Sequence, residues 1–210
     1  MEKVKKAIEK GKGHTILSTG ITGDDARMAK AVVDAGITML EPNHPALVLA
    51  RGYKGITSMH EAEKIRHEIT VDQMAEVTHG VRNVVGNDIY ITVGIPGGFT
   101  EVVPVPLFEE DFMKMSKAGA DGLTIYQETY DEKVYDEVHL AGPKKNYKYR
   151  LDGPERGAIA GMKSISIGAL LGLADFRKDA FFTALHGDYL RRKYPQCDIT
   201  YSPPRIRPCK

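Results

Sequence analysis

Short apolar runs alternate along this chain with stretches whose apolar residues recur at helical spacing. Glu2 to Lys10 reads as an amphipathic helix with Val4, Ala7 and Ile8 on one side. His14 to Ser18 is a short strand-like run ending in Thr19 and Gly20, and the acidic pair Asp24 and Asp25 opens a helix. That helix carries Met28, Ala31, Val32 and Ala35 and stops at Gly36. Ile37 to Leu40 predicts a second strand, ending in a loop of Glu41, Pro42, Asn43, His44 and Pro45. A long helical stretch from Ser58 to Val85, broken near Thr70, leads to a third strand over Ile89 to Val93, which closes in Gly94, Gly97 and Gly98. Helices follow over Phe108 to Lys117, Glu132 to His139, Pro154 to Ala160 and Asp175 to Tyr194. Between and after them lie strands at Leu123 to Tyr126, Ile165 to Ile167 and Ile199 to Tyr201.

Strands alternating with helices at this spacing imply βαβ units and a parallel sheet, because parallel neighbours need a crossover. The phrases DAGITML, KAGADGLTI and IAGMKSISI share one order: helix end, glycine, strand. The fold class is therefore α/β, a (βα)-barrel-like parallel sheet of about six βα units. A closed (β/α)₈ barrel needs eight units and typically about 250 residues, so a partial or rearranged TIM barrel is expected. Residues 1–210 read as a single barrel-like domain, with a seam between two barrel halves near residues 119–126. An unclosed parallel sheet leaves two edges of unpaired backbone groups. Shifted strand pairing or a homodimer across those edges is the expected remedy.

The hydrophobic fraction of 42% and charged fraction of 27% are those of a soluble globular protein. Lys and Arg total 29 against 28 Asp and Glu, a balance that argues against nucleic acid or an anionic membrane as partner. No stretch approaches the roughly 20 apolar residues of a membrane span. The charged N-terminal helix lacks the apolar core of a signal peptide, so the cytoplasm is the expected location. The two cysteines, Cys197 and Cys209, form neither a CxxC pair nor a disulfide framework.

In a (βα)-barrel, chemistry collects at the C-terminal ends of the strands, where a small-molecule ligand is expected. Asp24, Glu41 and Glu128 are candidate ligands for Mg²⁺, which prefers carboxylate oxygens. Helix capping and solvated rim charge account for the same residues. Gly97 and Gly98 offer backbone N–H groups to an anion, or simply make a tight turn. Glu41 and His44 are the candidate catalytic pair of a metal-assisted lyase or aldolase acting on a small carboxylate. His60 and His67 read as surface residues. The first half resembles, in style only, small-carboxylate lyase barrels of the phosphoenolpyruvate mutase and isocitrate lyase type.

The second half carries denser signals. They are Tyr126-Gln127-Glu128-Thr129-Tyr130, His139 with Gly142-Pro143-Lys144, Arg150-Leu151, Glu155-Arg156, the run from Ile167 to Leu173, and Pro204-Arg205-Ile206-Arg207-Pro208. On these, residues from about 119 to 209 closely resemble the C-terminal half of 2-iminoacetate synthase, the radical S-adenosylmethionine tyrosine lyase of thiamine biosynthesis. The tyrosine lyase of [FeFe]-hydrogenase maturation is a more distant likeness. The resemblance implies that Gln127, Glu128 and Thr129 line an S-adenosylmethionine site, with Gly168 and Gly172 beside it. It implies that Ser202 and Arg205 lie near the amino-acid substrate, where a guanidinium suits a carboxylate. Turn glycines and a rim ion pair are the structural alternative for the same residues.

That family binds a [4Fe–4S] cluster through a CxxxCxxC loop after the first barrel strand. Here the corresponding segment is STGITGDDA, which contains no cysteine. Cluster iron is held by thiolates, so no iron–sulfur cluster is expected. The expected protein is a recombined or engineered (βα)-barrel without tyrosine lyase activity. A metal-assisted lyase using Mg²⁺ and a non-catalytic module with a remnant S-adenosylmethionine or amino-acid site are the alternatives.

Overall fold

The computed structural model describes residues 2–11, 18–21, 25–65, 68–94, 109–141 and 143–207. The chain divides into two compact units, one of residues 1–96 and 113–121, the other of residues 97–112 and 122–210. Each contains a three-stranded, all-parallel sheet. Among the described residues the six expected strands are parallel, but they are hydrogen-bonded as two three-stranded sheets rather than as the one barrel-like sheet of about six units expected from the pattern. No helix among the described residues is long and apolar enough to cross a membrane.

In the first unit, α1 (Glu2–Gly11) precedes β1 (Ser18–Ile21), α2 (Ala26–Asp34), β2 (Met39–Pro42), α3 (His44–Ala50), α4 (Met59–Lys64), α5 (Val71–Val85) and β3 (Tyr90–Ile91). The sheet order is β1-β2-β3, with Thr19 opposite Leu40 and Leu40 opposite Ile91. Ala29, Leu40, Val81, Ile89 and Ile91 form the buried core, with Val32, Val33 and Val85 packed against it. From α2 the inward residues are Ala29, Val32 and Val33; of the stripe expected from the spacing, Met28, Ala31 and Ala35 are exposed, so the buried face is turned by about one residue from the expected one.

Local chemistry sets the helix ends. Asp25 caps α2 through the N–H groups of Arg27 and Met28. Thr70 and Gln73 form a reciprocal capping box at α5, as Ser58 and Glu61 do at α4. The long helical stretch predicted from Ser58 is therefore two helices, with Thr70 as the second N-cap. The segment after β2, predicted as a loop, begins α3: Asn43 accepts a hydrogen bond from the Ala46 N–H, and Pro45 sits in the first turn, where its missing N–H costs nothing. The strand predicted at residues 14–18 is found at Ser18–Ile21; His14 to Leu17 lie outside the described residues, as do Asp24, His67, Gly97 and Gly98.

The last residue of this unit is Asp121, 3% exposed. Its backbone N–H donates to the Ile91 carbonyl (2.8 Å), and its carboxylate accepts from the Ile91 N–H (3.0 Å). One aspartate thus satisfies both backbone groups of a strand residue. The carboxylate also accepts from Arg82 Nη2 (2.7 Å) and Lys3 Nζ (2.8 Å). Arg82 donates further to the carbonyls of Gly86, Ile89 and Gly119.

After α6 (Glu109–Ala118), the second unit holds β4 (Gly122–Glu128), α7 (Glu132–Val138), α8 (Tyr147–Leu151), α9 (Gly153–Ile159), β5 (Ser164–Ala169), α10 (Phe176–Lys193) and β6 (Asp198–Tyr201). Its sheet order is β4-β5-β6, with Leu123 opposite Ile165 and Ile165 opposite Ile199. Helix α9 packs on β4 and β5, and α10 on β5 and β6, each covering the pair of parallel strands that it connects. Asp179, Thr183, Gly187 and Leu190 are the buried stripe of α10.

Breaking the Asp121 network by Asp121→Ala leaves Arg82 buried without its counter-charge, and the expected loss is about 3–5 kcal/mol in unfolding free energy. Urea denaturation checks this. Replacing both charges (Arg82→Met with Asp121→Leu) should recover part of the loss; a double variant no better than Asp121→Ala would show that the ion pair is not its source.

Candidate functional site at the strand ends

The predicted site residues fall into two groups, one in each unit. In the first unit Glu41 is exposed at the end of β2, opposite Gly20. His44 is not on an open rim loop: it is the first residue of α3 and only 6% exposed. Its backbone N–H donates to the Gly94 carbonyl (3.0 Å), and its ring Nδ1 lies 3.3 Å from the same oxygen. The prolines on either side, read as loop markers, are the last residue of a strand and the second of a helix.

In the second unit, β4 ends in a bulge. The pairing with β5 runs Tyr126 to Gly168 and then Glu128 to Ala169, so Gln127 is an extra residue. Glu128 takes up the reversal at φ 73°, and its carbonyl accepts from the Leu170 N–H (2.7 Å). A non-glycine residue there costs about 1–2 kcal/mol. The carboxylate, nine-tenths buried, lies 2.6 Å from Lys144 Nζ and 3.7 Å from Arg150 Nη2. Arg150 is itself buried and donates from Nε to the Tyr126 carbonyl (2.6 Å), clamping the bulge from outside the sheet. Gln127 is 4% exposed, and neither its amide oxygen nor its nitrogen has a hydrogen-bond partner among the described residues.

Thr129 is fully buried and structurally committed. Its hydroxyl donates to Asp179 Oδ1 (3.0 Å) and accepts from the Asp131 N–H, while the Tyr130 N–H donates to the same Asp179 oxygen (2.8 Å). Gly168 is fixed by close approach, since a Cβ there would lie 2.2 Å from the Ser202 carbonyl oxygen. Gly172 has φ 105° and makes the turn after β5. The Ser202 hydroxyl accepts from Ser166 (2.9 Å). Arg205 is exposed, bridged through its backbone to Leu171, and its guanidinium has no ion pair among the described residues.

Glu128 is thus held by two cations, and among the described residues no group of three or more His, Cys, Asp or Glu side chains could hold a metal ion. Asp24, of the candidate metal set, lies outside the described residues. Lys144 and Arg150 were given no role by sequence reasoning. Both stand within the stretches that carried the resemblance, but only the path through α7 and α8 returns them to the end of β4.

His139 and Tyr135 complete this neighbourhood. Tyr135 is fully buried and donates from its hydroxyl to the Lys144 carbonyl (2.5 Å), and burial pushes its pKa up to about 12. His139 stacks on the Tyr135 ring at 4.0 Å, with Nδ1 3.0 Å from the Tyr135 carbonyl. Burial lowers its pKa, and the charges of Lys144 and Arg150 add to this, against the opposing Tyr135 carbonyl and Glu128 carboxylate.

No protein-family model matches the chain. Over 105 residues, half of the chain, it is 40% identical to 2-iminoacetate synthase of Salmonella typhimurium and 41% identical to that of Escherichia coli. It spans 28% of the length of each. Among solved structures it is similar to HydG, a maturase of the [FeFe]-hydrogenase, with a TM-score of 0.61 and 21% identity over 88% of this chain and 36% of that one. HydG from Carboxydothermus hydrogenoformans gives the same TM-score at 29% identity, covering 87% of this chain and 36% of that one. Methylornithine synthase (PylB) shares the fold at TM-score 0.52 and 14% identity, over 97% of this chain and 58% of that one. The likeness to 2-iminoacetate synthase read from the second-half motifs is therefore present in the sequence comparison, and the HydG structures share the fold.

A histidine pKa lowered in the folded state means that the unfolded chain takes up the proton first. The stability this contributes is fully present above the unfolded value of about 6.5 and is lost as pH falls through the folded pKa. Stability measured by urea unfolding should therefore decline from about pH 7 toward pH 5. His139→Gln should flatten that decline; an unchanged slope would exclude His139 as a contributor.

Proposed function

We propose that this chain is a recombined (βα)-barrel protein, in which a 2-iminoacetate synthase-like C-terminal half is carried on a first half of different origin, without the tyrosine lyase reaction. The thiol inventory carries this reading. The chain has two cysteines, Cys197 and Cys209, where a [4Fe–4S] cluster takes thiolates grouped in space. Cys197 is 5% exposed, its thiol donates to the Met162 carbonyl (3.1 Å), and burial raises its pKa. That is a packed, protonated thiol rather than a ligand. The residues present do not fit the cluster. The last of the chain's three changes of compact unit, at Asp121 and Gly122, falls inside the KAGADGLTI phrase where the junction is proposed.

Anaerobic reconstitution with iron and sulfide tests the proposal. The expected result is no stoichiometric cluster after desalting and no cleavage of tyrosine with S-adenosylmethionine and a reductant. A brown protein that cleaves tyrosine would overturn it.

Gln127 favours a second, compatible reading, a non-catalytic module that retains affinity for S-adenosylmethionine or an amino acid at the end of β4. A buried primary amide without partners costs about 1–3 kcal/mol. A polar ligand hydrogen-bonded there recovers that cost, and the resemblance puts Gln127, Glu128, Gly168 and Gly172 around such a ligand. S-adenosylmethionine or tyrosine should then raise the melting temperature of the unaltered chain. Gln127→Leu should melt higher without ligand and lose the ligand shift. No shift with either compound would remove this reading.

A further inference from the structure

A concave site apart from the strand ends lies within the second unit, between α8, the start of α9 and the outer face of α10. It is a cleft of about 370 Å³, within the size range of small-molecule sites. Its base is rigid. The Tyr130 hydroxyl is hydrogen-bonded to His186 Nδ1 (2.9 Å), the Tyr130 ring stacks on Phe182 with centroids 6.2 Å apart, and the Tyr147 hydroxyl donates to the Tyr130 carbonyl (3.2 Å).

The walls are aromatic and apolar yet open to solvent: Phe182 is 43% exposed, Leu185 53% and Tyr189 45%. Leaving such rings uncovered forgoes burial, unless something else covers them.

The charges in the cleft are negative. Asp152 joins α8 to α9, and a residue at that position normally turns its carboxylate onto the helix N–H groups. Here it makes no capping bond, and no hydrogen bond or ion pair to it occurs among the described residues. Glu155 is the second carboxylate, and the chain already seats a cation on it. Lys193 Nζ lies 2.5 Å from Glu155 and 5.2 Å from the Tyr189 ring centroid, and it donates to the Tyr189 hydroxyl (2.8 Å). An ammonium held between a carboxylate and a tyrosine hydroxyl is thus built into the rim, and the cleft sets a second carboxylate, Asp152, among further rings.

We propose that this cleft binds a small free organic ammonium ion, its alkyl groups against Phe182, Leu185 and Tyr189 and its charge facing Asp152. Ring faces carry negative electrostatic potential, so they favour a cation over a neutral molecule of the same shape. The site uses none of the strand-end residues, so it stands or falls independently of the function proposed above.

Calorimetry on the full chain tests this with choline and its uncharged carbon isostere, 3,3-dimethylbutan-1-ol. Choline should bind saturably, and the isostere about tenfold more weakly or worse. Asp152→Asn should weaken choline by about tenfold with unchanged melting, because its carboxylate holds nothing else. Phe182→Ala, at an exposed position, should weaken it as well and keeps the test decisive if the Asp152 variant folds poorly. Phosphatidylcholine vesicles form a separate arm. Absence of saturable choline binding, equal binding of the isostere, unchanged affinity in the folded variants, or binding to vesicles alone would each overturn the proposal.

Discussion

Asp121 is the point on which the first unit turns. Its carboxylate is buried and answered from three directions: by Lys3 of α1, by Arg82 of α5 and by the Ile91 N–H of β3. A buried carboxylate with one partner is a liability, but one with three donors fixes the position of each. Ile91 gives its N–H to the Asp121 carboxylate and its carbonyl to the Asp121 N–H, while Tyr90 and Thr92 donate to β2, so Asp121 satisfies the edge of β3 that faces away from β2.

The periodicity made the parallel α/β character legible because each core residue recurs at the spacing its element requires. The starts of α2, α5, α7 and α10 could be read closely from their acidic or Thr caps, whereas their buried faces could not: Met28 of α2 is exposed, and α10 buries Asp179, Thr183 and Gly187 beside Leu190. What escaped were the short elements. Helix α3 hides behind two prolines that suggest a loop, although Asn43 followed by His44 and Pro45 is a well-formed helix start. Helix α8 is five residues of YKYRL, too short for periodicity to declare itself.

The candidate site was legible as residues and not as geometry. Gln127, Glu128 and Thr129 sit next to one another in sequence, yet their side chains have three fates. Gln127 is buried without a partner, Glu128 is clasped by Lys144 and Arg150, and Thr129 ties the loop to Asp179. A period-two strand would have turned Gln127 away from both neighbours, but the bulge breaks that alternation. No local sequence rule announces a non-glycine residue at positive φ, because Arg150 and Lys144, which hold it there, come from further along the chain.

Gly168 carries a consequence for how this chain can diverge. The Ser202 carbonyl oxygen occupies the space any side chain would need, and the obstruction is backbone, so it cannot rotate away. Variation at that position is therefore closed off one mutation at a time; alanine becomes admissible only if the segment after β6 moves first. Among descendants of this sequence, a changed residue there would mark a lineage in which that segment had already left its place.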